Sequence, residues 1–207
     1  MALAAVGCGL LAVCVLFAAS PPADSRHADG AGPLGSEGAP VGTGSKMDSR
    51  GGQYNEWTYG VRLCRMSDDA PPVLEDLSPT EVVGDGFRVV GASVREFAVD
   101  WSSHAPIITV TGYPPPPQDV PDQLHALEGF AVTSPCPVPG SDGEVPENYT
   151  ELLVGLARVG NGGGGWRGLE IAYTAAGRHR VLVIQHDLLV CGLAVECVNW
   201  SPAPAGT

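Results

Sequence analysis

The stretch Phe87-Arg-Val-Val-Gly-Ala-Ser-Val-Arg-Glu-Phe-Ala-Val-Asp-Trp101 is the clearest guide to the fold class. Apolar and β-branched residues recur in it with the period-2 pattern of a half-buried strand. Gly91 and a second break near Glu96 read as one bent strand, or two, with a bulge at the glycine. Upstream, residues 57–64 give a first strand. Downstream, residues 107–113 give another, ended by Pro114–Pro117 because proline cannot continue a ladder. Residues 127–133 read as a strand before Cys136, and residues 150–159 and 166–173 flank the loop Gly160-Asn-Gly-Gly-Gly-Gly165. A turn around Gly177 leads into an apolar strand over residues 180–191. This set of short strands predicts a mainly β domain, an antiparallel β-sandwich, with an immunoglobulin-like arrangement among those allowed. The only helical candidates are short, at residues 79–83 and 120–126.

Composition narrows the function classes. The 207 residues hold 28 Gly and 19 Pro, and only 16% are charged, which excludes a coiled coil. One apolar run alone approaches the length of a bilayer span, which excludes a multi-span membrane protein. The net charge is −12, so the chain lacks the clustered cations that grip a phosphate backbone, and nucleic acid is not an expected partner.

Three segments follow along the chain. Residues 1–20 carry no charged side chain, and residues 2–19 are continuously apolar. Two readings stay open for them: a membrane anchor or a cleaved signal peptide. Residues 21–53 are rich in Gly, Ser, Pro, Ala and Asp and read as a flexible linker. Residues 54–202 form the β-sandwich domain, long enough for one real core.

Outside the apolar run stand four cysteines, Cys64, Cys136, Cys191 and Cys197. An even count in an exported domain reads as disulfides, for which three pairings are open. Cys64–Cys136 with Cys191–Cys197 is the favoured set, and Gly192 permits the turn that the short bridge needs. There is no Cys-x-x-Cys, so a zinc ribbon or thioredoxin motif has no support.

The remaining motifs are weak. The Gly160–Gly165 loop lacks the Gly-Lys-Ser/Thr of a phosphate cradle and reads as a hairpin loop carrying Trp166 and Arg167 as partner contacts. The proline run reads as a rigid crossover between the two sheets. Five histidines show no metal-ligand spacing, and no Gly-x-Ser-x-Gly elbow is present. The acidic pairs Asp68-Asp69 and Glu75-Asp76, with Asp142-Gly-Glu144, match no calcium loop. Asn148-Tyr-Thr150 and Asn199-Trp-Ser201 are formal glycosylation sequons.

The combination Trp166-Arg167-Gly168, Tyr173, Gly177-Arg178 and an apolar strand ending in Cys191 resembles small exported, membrane-anchored proteins of high-GC Gram-positive bacteria. The resemblance covers a quarter of the chain and implies an envelope location, with no activity attached.

The expected protein is therefore a single-pass membrane protein with an extracytoplasmic domain, non-catalytic, without a cofactor. It binds the membrane through its N-terminal segment and a protein or basic ligand through its acidic surface. The alternatives are a secreted hydrolase with a loop-borne site and a secreted viral or eukaryotic ligand-binding glycoprotein.

Overall fold

Runs of β-branched and aromatic residues, interrupted by Gly and Pro, become fourteen strands in the computed structural model. It describes residues 26–28, 31–37, 43–48, 55–67, 70–98, 109–118, 120, 123–137 and 148–191. The strands are β1 (Arg26–Ala28), β2 (Leu34–Glu37), β3 (Thr43–Asp48), β4 (Glu56–Arg65), β5 (Val73–Pro79), β6 (Val83–Gly84) and β7 (Phe87–Ala98). There follow β8 (Thr109–Thr111), β9 (His125–Ala126), β10 (Asn148–Arg158), β11 (Gly164–Trp166), β12 (Leu169–Ala175), β13 (Arg178–Ile184) and β14 (His186–Cys191). Among the described residues there is no helix, and none long and apolar enough to cross a membrane. The apolar N-terminal segment, Cys197 and the second sequon lie outside the described residues.

The first layer is the sheet β2-β4-β10-β7-β9, with β8 sharing the outer edge of β4. The second layer consists of two sheets, β1-β13-β12-β5 and β3-β14-β11-β6. They are two halves of one bent surface. The chain passes directly from β5 to β6, from β11 to β12 and from β13 to β14, and the breaks fall in line at Thr80–Val82, Arg167–Gly168 and Gln185. Backbone hydrogen bonds continue through the bend, from Thr80 N to Gly168 O at 2.8 Å and from Arg167 N to Thr80 O at 3.2 Å. Gly168 has φ +148° there, and a Cβ would stand 2.7 Å from Thr80 Oγ1 and 2.9 Å from the Ile184 carbonyl, so only glycine fits.

One core fills the space between the layers. Val61, Leu63, Leu152 and Leu156 of the first layer meet Ile171, Leu182, Ile184 and Leu188 of the second, all 8% exposed or less. The alternate residues of β10 face outward and are buried as well, because the connection from β8 to β9 lies over that face: Leu153 packs with Val110, Val120 and Leu124. This corrects the reading of Pro114–Pro117 as a crossover between sheets. The segment leaves β8 on the β4 edge and returns as β9 on the β7 edge of the same sheet, so it straps one face. The bulge expected at Gly91 lies beside it: Gly91 pairs with Gly155 and Val89 with Leu156, leaving Val90 unpaired on β7.

Other expectations need adjusting. Residues 79–83 end β5 and begin β6 in place of the first candidate helix, too short to sustain helical bonds, and the described part of residues 120–126 contains β9 rather than a helix. Residues 127–133 form no regular strand; the segment crosses between layers. Leu74 N donates to Phe130 O at 2.8 Å, and Arg65 N donates to Ser134 O at 2.7 Å. Within residues 21–53, read from composition as a linker, the described residues form β1, β2 and β3. Backbone pairing needs no large side chains: β1 and β3 add in parallel to β13 and β14, and Leu34 is fully buried.

Candidate functional site

The crossing segment closes only half of one side of the sandwich. At Leu74 and Val94 it bridges the β5 edge and the β7 edge. Beyond it, residues 87–90 of β7 pair only with β10 among the described residues, and a cleft opens between them and Pro79 and Val82 of the opposite edge. The cavity measures about 290 Å³. Leu156 and Trp166 line it together with Phe87 and Val89, whereas Arg88, opposite Ala157, lies on the other face of β7 and only borders it. Val82, at 63% exposure, stands at the mouth, beside Glu81, which holds a left-handed φ of 41°.

Trp166 was expected on a glycine loop as a surface contact. It is instead the last residue of β11 and only 2% exposed, because Gly164 and Gly165 belong to the strand rather than the loop. The glycines allow β11 to approach β14 closely: a Cβ on Gly165 would stand 1.7 Å from the Leu188 carbonyl oxygen. The indole packs edge-on to Tyr59 at 6.2 Å, and its buried N–H has no acceptor among the described residues. Behind Tyr59, His186 is stacked at 5.8 Å and 8% exposed, and burial lowers its pKa from the ordinary 6.5. Arg167 sits at the bend, one-third exposed, with Nε 4.0 Å from Glu81 Oε2. Arg88 is exposed and forms no ion pair among the described residues.

The cysteines fall partly as expected. Cys64 and Cys136 form a disulfide with Cα atoms 4.7 Å apart, because Cys136 N donates to Arg65 O and lays the crossing segment beside β4. Cys191 is fully buried and disulfide-bonded, whereas Cys197 lies outside the described residues.

A second group lies on the outer face of β5, β12 and β13. Thr174 Oγ1 donates to Glu75, and His179 Nδ1 lies 3.0 Å from Glu75 Oε2 and 3.3 Å from Thr174 Oγ1. The hydroxyl bond and the histidine hold the Glu75 pKa below its ordinary value. A nucleophile is activated when the hydroxyl and the carboxylate meet opposite nitrogens of the imidazole. Here both meet Nδ1, so the group orders the surface without activating Thr174. Among the described residues no three His, Cys, Asp or Glu side chains converge on a metal position.

At the other end of the sandwich a broader hollow of about 400 Å³ lies between Pro33, Met66, Ala175 and Arg180. On the strapped face, Glu151 stands in register between Arg62 and Arg95. Arg95 donates to it at 2.8 Å, with both side chains no more than 1% exposed. Sequence reading missed the cleft, since it arises where two edges fail to meet.

No protein-family model matches the chain, and no curated protein matches it.

Proposed function

We propose that the protein is a non-catalytic binding module of an extracytoplasmic compartment, carried on the membrane by its N-terminal apolar segment. The observation that carries this reading is the Cys64–Cys136 disulfide. It joins the end of β4 to the segment that closes the sandwich, and Cys64 is 4% exposed. Disulfides of this structural kind persist where thiols are not kept reduced. The disulfide at Cys191 points the same way. Binding rather than catalysis is supported by the character of the cleft, whose floor and walls are almost wholly apolar. The net charge of −12 favours basic groups on any protein that docks on the outer surface.

The test is the intact mass of the native protein from membrane and soluble fractions, alkylated before and after reduction. Full-length chain in the membrane, with Cys64 and Cys136 alkylated only after reduction, is the expected result. Cysteines that react fully before reduction would overturn the compartment.

A further inference from the structure

We propose that Asn148 carries an N-linked glycan, attached before the sandwich closes. The inference rests on the reading of the protein as extracytoplasmic, and it commits that compartment to one equipped for N-linked transfer.

Asn148-Tyr149-Thr150 is an acceptor triplet with threonine in third place and no proline in second. Such a triplet means little where folding buries the asparagine or ties up its amide. Asn148 opens β10 and is exposed, whereas every residue after it from Tyr149 to Ala157 is buried. Its carboxamide makes no hydrogen bond among the described residues. A bulky, solvated substituent therefore displaces nothing at this position. The same domain holds the Cys64–Cys136 disulfide, and the oxidising lumen that forms such bonds is where exported chains receive N-linked sugar.

The third residue of the triplet sets the order of events. Thr150 is fully buried, and its hydroxyl lies 2.7 Å from Ser134 Oγ. Ser134 belongs to the crossing segment that Cys136 ties to β4. Tyr149 is stacked on Phe97 at 5.8 Å. A transferase that reads the threonine hydroxyl has no access once these contacts form, so transfer comes first. The donor is an oligosaccharide linked to a lipid pyrophosphate. Asn148 Nδ2 attacks the first sugar carbon, the Nδ2–C1 bond forms and the C1–O bond to pyrophosphate breaks. The amide loses one proton and the lipid pyrophosphate leaves.

The register also fixes where the sugar stands. Thr150 pairs with Leu63, so β10 begins beside the end of β4, where Met66 is 45% exposed. Leu156 of the cleft lies about 26 Å further along the strand, at roughly 3.3 Å per residue. The glycan thus covers one end of the sandwich and leaves the cleft at the other end open.

The experiment is peptide mapping by mass of the native protein before and after enzymatic release of N-glycans, with thiols alkylated in the same sample before and after reduction. Release is expected to remove an oligosaccharide mass from the peptide holding Asn148 and to leave aspartate at that position. Mapping separates Asn148 from Asn199. Asn148→Gln, at an exposed and unbonded position compatible with folding, should abolish the shift, and Thr150→Ser should keep it. An unmodified Asn148, or a shift that survives Asn148→Gln, overturns the inference. Chain made without sugar and then given transferase and donor should be modified only when reduced and unfolded. Equal modification of the folded, oxidised chain overturns the order of events. The state of Asn148 decides the glycan and thiol reactivity decides the compartment, so the two failures are told apart.

Discussion

The ring of Tyr113 rests on the bare backbone of Gly155, where a Cβ would lie 2.3 Å from the ring's Cγ. A second glycine, Gly91, pairs with Gly155 across β10 and β7 and leaves the rest of the ring its space; a Cβ there would come within 2.9 Å of the hydroxyl. Two glycines in register are unusual in the middle of a sheet, since each weakens its strand. They form the seat of the strap. Burial of the ring accordingly raises the Tyr113 pKa.

Gly155→Ala is expected to destabilise the fold by about 1–3 kcal/mol, the usual cost of overpacking. In a Tyr113→Ala background the same substitution should cost far less, because the obstructing ring is gone. Urea denaturation of the four proteins measures the coupling, and additive effects would mean that the ring does not sit on the glycine.

Removing the disulfide by Cys64→Ser with Cys136→Ser should lower stability by about 4 kcal/mol, the chain-entropy value for a loop of this length. The sequence separation is 72 residues. The loss should vanish when variant and parent are compared in reductant.

Glu151→Gln leaves the buried Arg95 guanidinium without its counter-charge. A loss of about 3–5 kcal/mol is expected. Replacing both residues by Leu and Met should cost less than the single change, because no unmatched ion then remains. Thermal denaturation of the three chains distinguishes the two cases.

Acid should act in two stages. His186 has a folded pKa below the ordinary 6.5, so the unfolded chain takes up the proton first. Its contribution is therefore full above 6.5 and falls as pH drops towards the folded value, by at most about 1.4 kcal/mol per pH unit. Glu75 is depressed below 4.5, so its contribution is present above 4.5 and is lost as pH falls through its folded value. His186→Gln should flatten the upper stage alone and Glu75→Gln the lower alone, read as urea midpoints from neutral pH downward.

The strands that alternate were legible in advance. Residues 87–98 show their period because β7 has one face on the core, and the glycine beside its bulge marks the irregularity. The turn at Ala176–Gly177 was also visible, and both residues have positive φ, 49° and 72°. What was not legible depends on the partner strand. Residues 180–191 read as one strand, yet the bend at Gln185 is imposed by Gly168 opposite and leaves no mark at residue 185 itself. The short β1 and β2 owe their order to the edges they join, and the composition around Leu34 gives no hint of its burial. Trp166 was misplaced because glycine-rich sequence reads as loop, while here it lets two strands approach closely. The candidate site was the least legible part, since an opening between edges is a property of the assembled layers.

The Cys64–Cys136 link also has a mechanical meaning. A chain pulled from its two ends passes force through β4 and, by way of the sulfur bridge, straight to the segment that leads towards β10. The strap, the free edge of β7 and the cleft all lie inside the bypassed loop or against it. About 240 Å of contour length, for a 72-residue separation at roughly 3.3–3.6 Å per residue, is thereby withheld from extension. Residues 64–136 would then lengthen under load only once the sulfur bridge is reduced.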